Sequence, residues 1–119
     1  MTWLYQFLSG NERPEDVQTT LAELTALTSA QAIHQWCGFP DEVFVCGGGV
    51  HNTMLMTRLQ QHLPNCRITS TDFLGQPPDW VEAVAFAWLA WRTITGRAGN
   101  LPAVTGAHGP RILGAIYPS

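Results

Sequence analysis

Val17, Leu21, Leu24, Leu27 and Ala30 recur every three or four residues, a spacing that predicts a helix with one apolar face. Pro14, Glu15 and Asp16 stand at its start, where proline sacrifices no hydrogen bond and acids meet the positive end of the helix dipole. The pattern continues toward Trp36 and stops at the turn Gly38-Phe39-Pro40-Asp41. Upstream, Trp3 to Leu8 reads as the end of another amphipathic helix, broken by Ser9-Gly10-Asn11. Beyond Asp41 the period changes. Glu42 to Cys46 is a short apolar run of the kind buried on both faces of a parallel sheet. Thr53 to Leu63 returns to helical spacing, with Leu55, Met56, Leu59 and Leu63 facing the core, and Pro64-Asn65 ends it. Arg67 to Asp72 predicts a second strand. Glu42 to Asp72 thus predicts a β-α-β unit with two parallel strands and a right-handed crossover.

After the loop Leu74-Gly75-Gln76-Pro77-Pro78, the stretch Trp80 to Trp91 is almost without polar positions, and Glu82 is its only charge. A helix apolar all round seeks burial on all sides. Twelve residues are too few for a bilayer, which takes about 20. A single small domain can hardly enclose such a helix. The pattern therefore predicts an outside cover, either a tight dimer or the rest of a larger fold, and a helix over-exposed in the chain alone. Trp80, Trp88 and Trp91 read as core or interface residues. Past Gly96 the chain becomes polar and glycine-rich, and Ile112 to Tyr117 predicts a terminal strand.

Composition sharpens this picture. The 119 residues suit one domain, and only 13% are charged, about half the usual ~25%. The net charge of −3 comes without any basic run, which points away from nucleic acid and membrane surfaces as partners. Cys37, Cys46 and Cys66 form no C-x-x-C pair, and His34, His51, His62 and His108 lack metal-ligand spacing, so no metal residue is assigned. The start MTWLYQFLSG lacks a basic n-region and a long apolar core, so a cytoplasmic protein with reduced thiols is expected.

The candidate chemistry lies where the first strand runs into Gly47-Gly48-Gly49, with Asn52 just before the helix. Glycine lets a ligand lie against the backbone, and helix N-termini carry unpaired N–H groups, so strand, glycine turn and helix together suit a nucleotide. A tight turn without any ligand explains the same residues. A Walker A loop is excluded, since no Lys-Ser or Lys-Thr follows the glycines. A dinucleotide fingerprint matches at Gly47 and Gly49, with Asp72 near the ribose-binding position, but Asn52 replaces its third glycine. Asp72 otherwise reads as an Asx-turn cap of Leu74-Gly75. Glu82 has two readings. With Asp79 it forms a variant capping box; as a buried carboxylate it would accept hydrogen bonds from sugar hydroxyls.

Several stretches resemble the anhydro-N-acetylmuramic acid kinases of bacterial peptidoglycan recycling. They are Asp16-Val17-Gln18, Val45-Cys46-Gly47-Gly48-Gly49 with Asn52, Thr71-Asp72, and Glu82-Ala83 through Ala90. Gly99-Asn100-Leu101-Pro102, Val104-Thr105-Gly106-Ala107 and Leu113 to Pro118 complete the set. They keep family order over nearly the whole chain. The resemblance implies an α/β fold: residues 1–119 as the C-terminal segment of the second lobe of an actin, Hsp70 and sugar-kinase (ribonuclease H-like) fold. That fold would contain the βαβ unit and a buried apolar helix. It implies ATP with Mg²⁺ as cofactors and 1,6-anhydro-N-acetylmuramic acid as substrate. Gly47, Gly48, Gly49 and Asn52 would stand at the adenosine, and Glu82 at the sugar. The N-terminal phosphate-binding lobe, the catalytic aspartate and the Mg²⁺ ligands would lie upstream of this chain, so no catalytic residue is assigned here and the chain alone is expected to be inactive. Pro78 stands where the family usually has glycine, which bears on sugar contacts from that loop.

Overall fold

A computed structural model describes residues 2–117. The chain falls into two compact units, Met1–Pro78 and Asp79–Ser119. In the first, a single 3-10 turn at Leu4–Phe7 precedes α1 (Pro14–Cys37), β1 (Glu42–Val45), α2 (Thr53–His62) and β2 (Arg67–Ser70). The expected amphipathic helix at Trp3–Leu8 is only that one turn.

α1 starts as its sequence predicts, with Pro14 at the first position and Glu15 and Asp16 in the first turn. It ends at Gly38, whose φ of 71° turns the chain while its N–H reaches His34 O at 3.2 Å. The buried face matches the expected one at Ala30, which is buried, and at the half-buried Val17 and Leu21, and departs from it elsewhere. Ala26 and Ala30 are fully buried, whereas Leu24 and Leu27 are exposed. Residues four apart share a helix face, and the two alanines cluster with Leu59 of α2 and Leu63 at its C-terminal cap. Small side chains on α1 let the larger Leu59 and Leu63 approach closely. Across the two helices Glu23 binds His62 Nε2 at 2.7 Å, with Arg58 Nε at 3.4 Å.

The β-α-β expectation holds. β1 and β2 pair in parallel, with Val43 opposite Ile68 and Val45 opposite Ser70. Val43, Val45 and Ile68 pack toward the helices. Gln60 fastens the connection between α2 and β2, donating to Leu63 O at 3.0 Å and Cys66 O at 2.9 Å. The expectation of strands buried on both faces is corrected: no strand residue is fully buried. With two strands only, the face carrying Phe44 meets a single aromatic, Phe73, stacked at 6.2 Å with Arg67 lying 4.1 Å over it. Both strands end earlier than expected. Cys46 lies outside β1, and Thr71–Leu74 forms a 3-10 turn.

The second unit holds α3 (Val81–Ile94) and a four-residue helix α4 (Pro102–Thr105). α3 contains no buried residue, so the buried helix of the expected fold class is not realised within this chain. Phe86 and Ile94 are 68% and 74% exposed. The reason is supply: among the described residues the unit offers α4 and coil to cover its helix. Trp88 and Trp91 are also exposed, and each has a guanidinium over its ring, Arg92 at 5.3 Å and Arg97 at 5.2 Å. The terminal segment Ile112–Tyr117 is coil rather than a strand. It is held by single contacts, from Thr93 Oγ1 to Leu113 O and, just before it, from Gly99 N–H to Arg111 O at 2.9 Å. Asn100 closes the intervening loop, donating to Gly109 O and accepting from Arg111 N–H. Pro118, the end of the last resembling stretch, lies outside the described residues. No helix among the described residues is long and apolar enough to cross a membrane.

Candidate functional site

Parallel strands deliver their carboxyl ends to one edge of a sheet, the edge where α/β proteins place ligands. Here that edge carries the glycine turn after β1 and the Thr71–Leu74 turn after β2. Gly47 has φ 75° and ψ 179°, a combination open essentially to glycine alone. Its N–H donates to Pro78 O at 2.9 Å. α2 opens at Thr53, as expected, and between the glycine turn and the helix Gly48–His51 forms a 3-10 turn. That turn is closed by Val50 N–H to Gly47 O and Asn52 N–H to Gly49 O. Asn52 then caps α2, its Oδ1 accepting from Leu55 N–H at 3.1 Å.

Each glycine of the triplet has a different physical reason. Gly47 is required by its backbone angles. At Gly49 an added Cβ would meet Leu55 Cδ2 at 3.4 Å, a close approach of the turn to α2. Gly48 has neither reason. Its φ is not positive, and an added Cβ would meet nothing within 4 Å. Gly48 and Gly49 are exposed, and among the described residues their N–H groups have no acceptor. The turn thus presents bare backbone and two adjacent donors to the outside, an arrangement that suits an electron-rich ligand group.

The structure brings Gly47, Gly48, Gly49 and Asn52 together in one turn. Glu82 belongs to the other unit, in the first turn of α3. The capping-box reading of Glu82 is corrected: the residue before α3 is Trp80, without any side-chain cap, because Pro78–Trp80 forms its own 3-10 turn. Glu82 is exposed rather than buried. The Asx-turn expected of Asp72 is corrected too. Ser70 Oγ accepts from Asp72 N–H at 3.1 Å and donates to the Asp72 carboxylate at 2.9 Å, while Gly75 N–H goes to the Asp72 carbonyl. Two features of this edge escaped the sequence reading. Pro78 is buried and supplies the acceptor for Gly47. Thr71 Oγ1 is buried without a hydrogen-bond partner. A proline in a loop carries no sequence signal that its carbonyl will be used, and an orphan hydroxyl carries none at all.

Comparison with known proteins supplies the frame for this geometry. The family model described as anhydro-N-acetylmuramic acid kinase matches residues 1–119. The chain belongs to the anhydro-N-acetylmuramic acid kinase family. It is similar to the protein of that name from Nitrosospira multiformis, 52% identical over 99% of this chain and 32% of the relative. The Nitrosomonas europaea protein is 53% identical over 100% of this chain and 33% of its own length. The Thiobacillus denitrificans protein is 58% identical over 89% of this chain and 28% of its own. The chain spans about a third of the length of these curated relatives. Family membership favours the kinase reading of the glycine turn over a dinucleotide-binding one.

Proposed function

We propose that this chain is the C-terminal part of an ATP-dependent kinase that phosphorylates 1,6-anhydro-N-acetylmuramic acid at its 6-position while opening the anhydro ring. It works in the cytoplasm, in peptidoglycan recycling, within a lobe of the actin-like sugar-kinase fold. The three free thiols Cys37, Cys46 and Cys66 are compatible with that compartment.

The observation that carries the reading is Gly48. A glycine whose backbone and packing both allow a side chain is explained by something outside the chain that comes close. In a kinase of this family, that something is the adenosine part of ATP. Gly48 and Gly49 offer backbone surface and donors, and Asn52 fixes the start of α2 behind them. Glu82 accepts hydrogen bonds from sugar hydroxyls, a role in which its exposure in this chain gives way to burial under substrate. Phosphoryl transfer is mainly positioning and charge stabilisation, with ATP as donor and Mg²⁺ neutralising the phosphates. Phosphate, metal and base contacts belong to the part of the relatives that this chain does not match. The exposed face of α3 receives that part or a second subunit.

The test joins this chain to the upstream part of the Nitrosospira multiformis relative. In that enzyme Gly48→Val raises the KM for ATP and changes the sugar KM little. An unchanged ATP KM removes the nucleotide assignment. The 119-residue chain alone transfers no phosphate to the anhydro sugar, because groups that act as a unit lose most of their catalysis together. Phosphorylation by the purified chain would overturn the division of roles.

A further inference from the structure

We propose that Pro78 is the positioning residue of the glycine turn, and that the three glycines divide their work: Gly47 is held by the protein, while Gly48 and Gly49 face the nucleotide. This rests on the nucleotide reading above and assigns to Gly47 a different role from the other two. The Gly47 N–H is already taken up by Pro78 O at 2.9 Å. A nucleotide could claim it only by breaking that bond, and exchanging one hydrogen bond for another yields little. Gly48 and Gly49, in contrast, have no acceptor to give up among the described residues.

The clamp is built by a return path from β2. Ser70 caps the Thr71–Leu74 turn, Gly75 reverses the chain at φ 78°, and Gln76 N–H closes on Thr71 O at 3.1 Å. This fold-back brings Pro78 to the strand edge. Pro78 is buried, while Pro77 and Asp79 beside it are exposed. The ring fixes its own φ, which removes one of the two backbone torsions that would otherwise let the carbonyl swing away from Gly47. The Gly47 conformation, costly for any other residue, is thereby held before a ligand arrives, and a preorganised site loses less affinity to ordering.

The experiment follows amide exchange and MgATP titration on the ¹⁵N-labelled 119-residue chain and its Pro78→Gly, Pro78→Ala and Pro77→Ala variants. In the unaltered chain the Gly47 amide exchanges at least about tenfold more slowly than Gly48. Pro78→Gly removes that protection, Pro78→Ala reduces it, and Pro77→Ala leaves it unchanged. The amides of Leu59 and Leu63 report whether the core stays folded, and the milder alanine variant carries the test if the glycine variant does not. Rapid exchange at Gly47 in the unaltered chain, or protection that survives both Pro78 variants, overturns the clamp. With MgATP, the Gly48 and Gly49 amides shift while Gly47 stays protected, and Pro78→Gly weakens binding about tenfold. Loss of Gly47 protection on adding MgATP overturns the division of work. If MgATP shifts none of these amides, the ATP KM of the joined enzyme decides the nucleotide reading and with it the role of Gly48, whereas the exchange data decide the clamp on their own.

Discussion

α3 is the most apolar helix among the described residues, yet none of its residues is buried, while the helix pair α1 and α2, with a lower share of apolar residues, contributes to a buried core. The core residues Ala26, Ala30, Leu59, Leu63 and Cys66 all lie in the first unit. The difference shows that burial follows the match between surfaces rather than the count of apolar residues. Ala26 and Ala30 make a flat strip, Leu59 and Leu63 fill it, and Val43, Val45 and Ile68 close the layer beneath. The α3 side chains Phe86, Leu89, Ala90 and Ile94 line, with the coil around Leu113 and Ile116, a concavity of about 590 Å³. One region holds a buried core and the other leaves its apolar helix exposed.

The sharpest way to break this comparison is to remove one apolar side chain from each region of the isolated chain. Leu63 is 2% exposed, and Leu63→Ala is expected to cost about 2–5 kcal/mol. With so small a core this is enough to unfold much of the first unit, read as a collapse of the urea midpoint. Ile94 is 74% exposed, so Ile94→Ser is expected to stay within about 0.5 kcal/mol, as surface changes usually do. Equal losses from the two variants would show that α3 is as well packed as α1 and α2.

The same contrast explains what the sequence could reveal. The β-α-β unit was legible because each of its elements repeats with its own period, and the period is set by local geometry. The start of α1 was legible from Pro14, Glu15 and Asp16, and the exposure of α3 from the lack of polar positions. The face of α1 was read correctly at Ala30 and misread at Leu24 and Leu27, because leucine outranks alanine in apolarity, whereas close helix approach prefers alanine. The terminal strand was misread because Ile112–Tyr117 has a strand's composition but, among the described residues, no strand pairs with it. At the candidate site the glycines were visible as letters, but their separate reasons were not. Only dihedral angles distinguish Gly47 from Gly48, and only the fold brings Pro78 to Gly47.

A smaller effect sharpens the comparison within the glycine turn. Gly47→Ala places a Cβ on a backbone with φ 75° and ψ 179°, and a loss of about 1–3 kcal/mol is expected. Gly48→Ala meets open space, and a change within about 0.5 kcal/mol is expected. Thermal or urea unfolding of both variants measures the difference. Equal destabilisation would place the two glycines in the same structural role and remove the reason for assigning Gly48 to a ligand.

The smallest effect concerns how far the order of the first unit extends toward the N-terminus. The Glu12 carboxylate accepts from Ser9 N–H at 2.8 Å, Ser9 Oγ at 2.8 Å and Gly10 N–H at 3.0 Å. The Ser9 backbone N–H, then its hydroxyl, favour the charged form and lower the Glu12 pKa from 4.5 to about 2. A carboxyl whose folded pKa lies below its unfolded value stabilises the fold above the unfolded value and loses that contribution as pH falls through the folded one. The window is therefore pH 4.5 down to about 2. Glu12 is fully open to solvent, so the loss is local: the Ser9–Glu12 loop releases while α1 and its core stay in place. An NMR titration of the Glu12 side chain, with the Ser9 and Gly10 amides as reporters, is expected to show one shared midpoint near 2 and no change at Leu59 or Leu63. Glu12→Gln should abolish the titration of both amides and leave the core signals unmoved. A Glu12 midpoint near the ordinary 4.5 would mean that the loop is already open at neutral pH and that the ordered region begins only at α1.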